Sequence, residues 1–446
     1  RRPRRSRSMD KFMKKLEREA RSKQKERVRT KGDAKGPKKK PVKRPQPGPP
    51  KAKHADPALE GLTPSQKKKR VRQDRLKARP FGDVVSKAKQ LWNQLRERKC
   101  PKDQRAELVT QLCGLLRNKI FEVSMKHDAS RVVQSVIMFG TAEQRAAVLE
   151  ELKGKLVTLA KNKHGHFLAL KLLQYLKGDQ LEVVLRELKG GIDAIVTHSV
   201  AAHVLEHAYD RVLNGEQRRD VIRHIYGPQF LVLHSDLRGA PAASDALVRL
   251  AQSSPSLRKV AVRRLRRLVV RAAEKGLLTL SYVHKAAHDL AQLAGPLEVR
   301  ALVPLVAEGL PLMMSTADGA RFVMACIGHG TPKDRKKLVR ALRGEVASVA
   351  EHPFGHLCLA QLLDVLDDTV LARKSILAEL EPHLPRLVEH KFGRRAVLAV
   401  LAPRDARYFS KFDLELLQPV MIPVVEETKG GGMEVEGEGE DEREGE

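Results

Sequence analysis

The pattern of apolar and polar positions divides the chain into three stretches. From residue 85 to residue 405, apolar residues recur at helical spacing in segments of 8–14 residues, broken by Gly, Asn, Asp or Pro. A period near 3.6 residues indicates amphipathic helices, and no segment alternates as a strand does. The pattern therefore predicts an all-α region over residues 85–405, with residues 1–84 and 406–446 outside it.

A small residue that opens a helix repeats along this region at a nearly fixed interval. Most intervals between clear copies are 36 residues, and the last is 38. The reference residues of the six clear and two weaker copies are Ala129, Gly165, Ala201, Ala243 (weak), Val283 (weak), Gly319, Gly355 and Gly393. A single unit of this size cannot bury its own apolar face, so neighbouring units must stack. The repeat predicts an α-solenoid of about eight units with about three short helices each.

The motif around the small residue resembles a Pumilio (Puf) repeat. The segments HPFGHLCLAQLL, HKFGRRAVLAVL and KHDASRVVQSVI are the closest matches to H-x-x-G-x-[RHF] opening a helix. The basic arm and the segment SKAKQLWNQLRERKCPKDQR look more like the divergent nucleolar branch, the Puf-A or Pumilio-homolog-3 type. The resemblance covers about residues 85–405 and implies a right-handed α-solenoid. That branch has extra C-terminal repeats in an L-shaped array; this chain leaves the pattern after LAPRDAR, so we expect those repeats to be absent or replaced.

The same resemblance assigns three positions of each second helix to contacts with one base. Positions i and i+4 after the small residue meet the base edge, and position i+1 stacks on the base. The candidate contacts are Ser130, Arg131 and Gln134; His166 and Phe167; His203 and Glu206; His284, Lys285 and His288; Arg321; His356; Arg394 and Arg395. The first set resembles an adenine reader. Most other i+4 positions, such as Leu170 and Met324, form no hydrogen bond to a base, so we expect the base code to be mostly missing.

A second basic cluster lies in LRKVAVRRLRRLVVRAAEK, residues 257–275. Arg263, Arg267 and Arg271 fall four residues apart and share one face of the predicted helix. There they can contact phosphates without reading sequence. The alternatives are an amphipathic scaffold helix with a solvated cationic side, and a lipid-binding helix that would have to leave the array.

Net charge makes a polyanion the expected partner. The chain carries 85 Lys and Arg against 54 Asp and Glu, for a formal charge of +31. Such an excess favours nucleic acid or, less often, an anionic membrane surface. Aromatic residues make up only 4% of the chain, which argues against RNA-binding sheets that stack bases on Phe and Tyr. No run of about twenty apolar residues occurs, so we expect no membrane span.

The two flanking stretches predict disorder. Residues 1–84 are a basic arm rich in Lys, Arg and Pro that buries too little apolar surface to fold, apart from a transient helix over 9–29. Basic clusters at 37–44 and 67–78 resemble import signals, which implies nuclear import receptors as partners; a nucleic-acid-binding tail fits them as well. Residues 406–446 form a divergent, mostly disordered tail that ends in an acidic, Gly-rich run.

The stretch AAHVLEHAYD carries the H-x-x-E-H pattern of a zinc peptidase. His203 and His207 share a helical face and Glu206 follows the spacing of a catalytic base. However, His203 falls in the same repeat register as Arg131, and no third ligand follows, so a Puf-like helix explains the match. No phosphate-binding loop, dinucleotide loop, nucleophile elbow or paired-carboxylate site occurs either. We expect no enzymatic activity, no metal and no cofactor.

Together these observations predict an RNA-binding protein of the nucleus and nucleolus. By resemblance to the nucleolar branch, the expected targets are precursor ribosomal RNA and pre-ribosomal particles, and the expected role is maturation of the large ribosomal subunit. DNA, messenger RNA and translational regulation are further expectations of that resemblance. The alternative is a nuclear protein-binding scaffold of HEAT or armadillo type. Those repeats run about 40–47 residues, whereas the clear copies here run 36.

Overall fold

The computed structural model describes residues 63, 66, 81–97, 100–127, 129–232 and 246–417. All regular structure in these ranges is helical, which confirms the predicted all-α solenoid. None of the helices in these ranges is long and apolar enough to cross a membrane. Five predictions fall outside the described residues: the helix over 9–29, the import signals at 37–44 and 67–78, the weak copy at Ala243 and the acidic run after residue 425.

Two helices precede the repeats, and a complete repeat then contributes a short first helix, a middle helix and a third helix; the fifth repeat lacks the first helix and the eighth lacks the third. The leading helices are α1 (Gly82–Leu95) and α2 (Lys102–Leu116). The first two repeats comprise α3 (Ile120–Ser124), α4 (Ser130–Phe139) and α5 (Ala142–Leu152), then α6 (Leu156–Lys161), α7 (His166–Tyr175) and α8 (Gly178–Gly190). The third comprises α9 (Ile192–Ile195), α10 (Ala201–His207) with a π-helical turn (Ala208–Val212), and α11 (Gly215–Tyr226).

The later repeats follow the same order with more irregular ends. The fourth and fifth comprise α12 (Pro228–Val232), α13 (Ala246–Gln252) and α14 (Pro255–Glu274), then α15 (Ser281–Leu293) and α16 (Pro296–Val306). The sixth comprises a 3-10 turn (Ala307–Gly309), α17 (Leu310–Met313), α18 (Ala317–His329) and α19 (Pro332–Leu342). The seventh comprises α20 (Val346–Ala350), α21 (Gly355–Val365), α22 (Thr369–Ala372), a π-helical turn (Arg373–Leu377) and α23 (Ala378–Leu380). The eighth comprises a 3-10 turn (Glu381–His383), α24 (Leu384–Glu389) and α25 (Gly393–Leu401), and α26 (Lys411–Leu416) follows it.

The middle helices stack in series and build one core. Helix α4 contacts α7, which contacts α10, and farther along α15, α18, α21 and α25 contact one another in order. Nearly all buried apolar residues of the described ranges form one cluster that extends from Ala88 to Leu417. This continuity is the stabilising feature of a solenoid, in which each unit buries its apolar face only against its neighbours.

The small residue at the start of each middle helix is explained by a close approach inside the repeat. A Cβ added at Gly355 would lie 2.6 Å from the carbonyl oxygen of Val349, and one at Gly393 would lie 2.8 Å from that of Leu387. Gly165 makes the same approach to the residue six positions before it. That carbonyl belongs to the short first helix, so a small residue lets the first and middle helices cross in contact.

The residue three positions before the small one caps the middle helix. In the third repeat, Nδ1 of His198 accepts hydrogen bonds from the backbone N–H groups two and three residues later, both at 3.2 Å. His352 and His390 make the same two bonds, and in the second repeat the side-chain oxygen of Asn162 makes them. The histidine of the H-x-x-G motif therefore lies two residues before the N-cap residue and caps the turn that leads into the middle helix, which requires an unprotonated ring nitrogen.

The third and fifth repeats contact each other directly, at the place where the sequence intervals lengthen. A carboxylate oxygen of Glu206 in α10 accepts a hydrogen bond from the backbone N–H of Ser281 at 2.8 Å. The hydroxyl of Tyr282 donates to the carbonyl oxygen of Val196 at 2.6 Å. These bonds join α9 and α10 to the start of α15, so the array stays continuous across the longer intervals.

Candidate nucleic-acid interface

In the first three repeats, part of the register predicted to contact bases is open to solvent. Arg131 is exposed, and Phe167 keeps 49% of its surface exposed. The ring of His166 lies 3.9 Å from the ring of Phe167, centroid to centroid, and His203 is half-buried in the third repeat. Aromatic rings stack on bases of any sequence, and a guanidinium contacts phosphates. These middle helices therefore offer stacking and charge.

The edge positions of the first repeat bond to each other. Ser130 is buried, and its hydroxyl donates to the carbonyl oxygen of His164 at 2.9 Å. The amide nitrogen of the half-buried Gln134 donates to the same hydroxyl at 3.0 Å. The pair that resembles an adenine reader is thus satisfied within the protein, and a base would have to replace these bonds.

Other edge positions lie inside the stack. His284 is fully buried, with Nε2 2.7 Å from the carbonyl oxygen of Leu278 and Nδ1 2.8 Å from the hydroxyl of Thr316. His356 is buried as well, and its Nδ1 donates to the carbonyl oxygen of His352 at 3.0 Å. Burial lowers the pKa of His356 to about 4. As folded, His284 bonds to the next repeat and His356 bonds within its own repeat, and the assignment of both to bases stays a prediction.

In the fifth repeat, carboxylates lie next to the side chains predicted to contact a base. The ammonium of Lys285 lies 2.6 Å from the carboxylate of Asp289, which is 1% exposed. Burial raises the pKa of Asp289 to about 6 although Lys285 opposes the shift. Nδ1 of His288 lies 3.6 Å from a carboxylate oxygen of Asp318, and burial raises the pKa of Glu206. Opposite charges offset one another here, so this repeat presents little net positive charge.

In the last three repeats, the chain's own C-terminal segment lies over the register. The guanidinium of Arg395 is 2.9 Å from a carboxylate oxygen of Asp413 in α26. The guanidinium carbon of Arg321 lies 6.0 Å from the ring centroid of Phe412. Arg394, by contrast, is exposed. Two of the three predicted cationic contacts in this part of the array are therefore occupied within the molecule.

A cationic groove lies between α14 and α16, the third helices of the fourth and fifth repeats. It encloses about 780 Å³. Its cationic lining residues are Arg258, Lys259, Arg263, Arg266 and Arg267, and its apolar ones include Val262, Val270 and Leu305.

The predicted arginines of α14 are available for ligand contacts. Arg263, Arg267 and Arg271 are exposed, and within the described ranges no hydrogen bond or ion pair engages them. Arg264, on another face of the same helix, pairs with Asp193 at 2.5 Å. The helix thus uses one side to hold the array and leaves a cationic side open, which suits phosphate contacts.

The H-x-x-E-H stretch is built into the array. The carboxylate of Glu206 bonds to the backbone of Ser281, and burial lowers the pKa of His207. Among the described residues, no group of three or more His, Cys, Asp or Glu side chains is placed to hold a metal ion.

Sequence reasoning missed the helix that covers the last repeats. Phe412 and Asp413 lie beyond the predicted end of the array at residue 405, in the segment SKFDLEL. One local signal was present, because Ser410 and Asp413 form a capping box. Nothing in the sequence pattern indicated that this helix would reach Arg321 and Arg395, which lie in earlier repeats.

Stacked three-helix units with cations and rings along their middle helices define the chain as an α-solenoid repeat protein. A family model described as the Pumilio-family RNA binding repeat matches residues 119–153 and 155–189. Over 355 residues the chain is 33% identical to Pumilio homolog 3 of Rattus norvegicus, an alignment that covers 79% of this chain and 54% of that protein. It is also 33% identical over 353 residues to Pumilio homology domain family member 6 of Schizosaccharomyces pombe, with 79% of this chain and 54% of that protein covered.

Solved structures agree with these relatives. The crystal structure of human Puf-A matches with a TM-score of 0.69 and 32% identity, covering 75% of this chain and 65% of that one. The structure of human Puf-A in complex with DNA matches with a TM-score of 0.69 and 32% identity, covering 76% and 66%. The chain belongs to the Pumilio repeat family, and its relatives are of the Puf-A and Pumilio homolog 3 type, as the resemblance predicted. The chain spans about half the length of the curated relatives it matches.

Proposed function

We propose that this chain binds nucleic acid, largely without regard to base sequence, through the cationic faces of its repeats. The observation that carries the proposal is the match to human Puf-A in complex with DNA, at 32% identity over 76% of this chain. The geometry of the middle helices agrees with it, because edge positions such as Ser130 and His284 already bond within the protein. Contacts that remain open are of the kind that bind phosphates and stack on any base.

Two surfaces supply these contacts. On the middle helices, Arg131 and Phe167 offer charge and a stacking ring. On α14, Arg263, Arg267 and Arg271 offer charge alone. Phosphate contacts release counterions and so depend steeply on salt, but they do not distinguish sequences.

We further propose that the ligand is precursor ribosomal RNA and that the protein acts in the nucleolus during maturation of the large ribosomal subunit. The support is the resemblance to the nucleolar Puf branch, the formal charge of +31 and the basic clusters at 37–44 and 67–78. In this role the protein holds RNA and performs no chemistry on it. Messenger RNA and DNA present the same phosphates and are further ligands in this proposal, and import receptors would bind the basic arm.

Fluorescence anisotropy of the full chain tests the primary proposal. Labelled single-stranded RNA, double-stranded RNA and duplex DNA would each be titrated in two unrelated sequences at the same salt concentration. We expect the two sequences of each type to bind within a few-fold of one another, whereas sequence-specific proteins discriminate by about 10³-fold or more.

Two results would contradict the proposal in different ways. Tight binding to one sequence alone would mean that the edge positions read bases after rearrangement. No binding of any ligand at low salt would favour a protein-binding scaffold.

A further inference from the structure

The segment after the last repeat is packed back onto the array. Arg404 donates to a carboxylate oxygen of Asp364 at the end of α21, through Nε at 3.1 Å and Nη2 at 3.0 Å. Phe409 is 3% exposed and Leu417 is 1% exposed. Between these two buried side chains, α26 crosses the register of the sixth to eighth repeats.

Asp413 occupies the place of a phosphate on the eighth repeat. Its carboxylate lies 2.9 Å from a guanidinium nitrogen of Arg395, at the distance of a charge-assisted hydrogen bond. Arg395 is the stacking position of its repeat and follows Gly393 by two residues. The charge of Asp413 also acts on His356 of α21, where it opposes the fall in the imidazole pKa. A single carboxylate thus faces two neighbouring repeats.

Phe412 occupies the place of a base on the sixth repeat. Its ring centroid lies 6.0 Å from the guanidinium carbon of Arg321, within reach of a cation–π contact. Arg321 is the stacking position of that repeat, two residues after Gly319. An arginine in this position stacks on a base in a nucleic-acid complex in the way that it here faces the phenyl ring.

We propose that Arg321 and Arg395 form a latent nucleic-acid subsite that α26 occupies until nucleic acid displaces it. The anion of Asp413 and the ring of Phe412 stand in for a phosphate and a base. The ligand class is therefore a nucleotide strand that brings one phosphate to Arg395 and one base to Arg321. The inference rests on the proposed function, because it extends the same nucleic-acid surface into the last three repeats.

The contacts of α26 are of a kind that a nucleic acid can replace. The Arg395 end of the ion pair is open to solvent, with 26% of that side chain exposed, whereas the Asp413 side chain is 8% exposed. A phosphate can therefore approach the guanidinium from its open side. Phe412 is 56% exposed, and exposed cation–π contacts stabilise only weakly. The helix is six residues long, too short to persist by its own backbone hydrogen bonds. Its two buried flanks keep it near the subsite when it is released.

The test compares full-length variants for binding to one single-stranded RNA across a salt series. The variant Phe412→Ala/Asp413→Asn removes the ring and the charge but keeps a side chain able to cap α26. We expect about fivefold tighter binding, which corresponds to the loss of competing contacts of about 1 kcal/mol. We also expect the slope of log K against log salt to steepen by about 0.7, for one more phosphate contact on a single strand.

The matched control is Asp405→Asn. It removes the same charge from the same segment, but Asp405 pairs with Arg407 at 2.6 Å and does not touch the register. Adding Arg395→Gln to the double variant should abolish its gain. If the double variant and the Asp405→Asn control have equal affinities and equal salt slopes, the subsite does not exist.

Hydrogen exchange gives a second readout. In the wild-type chain, amides of residues 411–417 should exchange faster when RNA is bound at saturation, whereas unchanged or slower exchange would overturn the displacement. The double variant should show faster exchange there without any RNA. Wild-type binding tests the proposed function, and the difference between variants tests the latent subsite, so the two failures are distinguishable.

Discussion

At the scale of single residues, the motif that marks each repeat is explained by packing and capping. Gly355 has no side chain because the carbonyl oxygen of Val349 would lie 2.6 Å from its Cβ. His352 caps the same helix through Nδ1, at 3.2 and 3.3 Å from two backbone nitrogens. Neither role requires a ligand. The H-x-x-G motif therefore identifies the fold, and it says little about what the fold binds.

Substitution of Gly355 by Ala tests the close approach. The added Cβ must displace a backbone carbonyl in a packed core, so we expect the free energy of unfolding to fall by about 1–3 kcal/mol. Gly114 is the control, because it lies inside α2 and an added Cβ there meets no atom within 4 Å. Gly114→Ala should raise stability by up to about 1 kcal/mol. Denaturant titration measures both, and equal losses would contradict the packing argument.

Substitution of His198 by Asn tests the capping role through its pH dependence. Burial, with the nearby charges of Lys161 and Lys275, lowers the pKa of His198. In the unfolded chain this imidazole takes up a proton near pH 6.5. The contribution of His198 to the free energy of unfolding is therefore fully present above that pH and is lost as the pH falls toward the lowered pKa of the folded state. Asn162 makes the same cap in the second repeat without titrating.

We therefore expect His198→Asn to match the wild type near pH 7.5 and to lose less stability than the wild type near pH 5. Denaturant titration at the two pH values measures this. The same loss of stability in both proteins would show that the His198 cap does not titrate with folding. His356, whose pKa burial lowers to about 4, remains in both proteins and sets a common background.

At the scale of helices, the sequence pattern predicts the middle helices well and their surroundings poorly. Gly165 and Gly393 mark the starts of α7 and α25, but α18 begins at Ala317, two residues before Gly319. Periodicity places Arg131 and Lys285 in the same register, yet Arg131 is exposed, whereas Lys285 is half-buried and pairs with Asp289. The difference in burial comes from the neighbouring helices, which a single helix's pattern does not contain.

Helix α26 shows the same limit more strongly. A helix of six residues is not stable alone, so the local sequence pattern is not sufficient to predict it. Its position depends on Arg395, with which Asp413 pairs, and on Arg321, which faces Phe412. Contacts between residues so far apart in sequence are fixed only when the whole array is folded.

At the scale of the molecule, the formal charge of +31 and the 36-residue period of the sequence by themselves indicate a nucleic-acid-binding solenoid. The structure shows which of the cationic side chains are open to solvent. Arg131 on a middle helix and Arg263 on α14 are exposed, whereas Lys285 and Arg395 already pair with carboxylates. We therefore expect binding through these particular open cations, which the net charge alone does not identify.

The most direct test is the salt dependence of RNA binding when the open cations of α14 are removed. In the full chain, Arg263→Gln/Arg267→Gln/Arg271→Gln should lower the slope of log K against log salt by about 2, since each lost phosphate contact removes about 0.7 for single strands. The matched control removes three exposed cations at α19, namely Lys333, Arg340 and Arg343. We expect a clearly smaller change in slope for the control, and an equal change in the two triple variants would contradict binding through the open cations of α14.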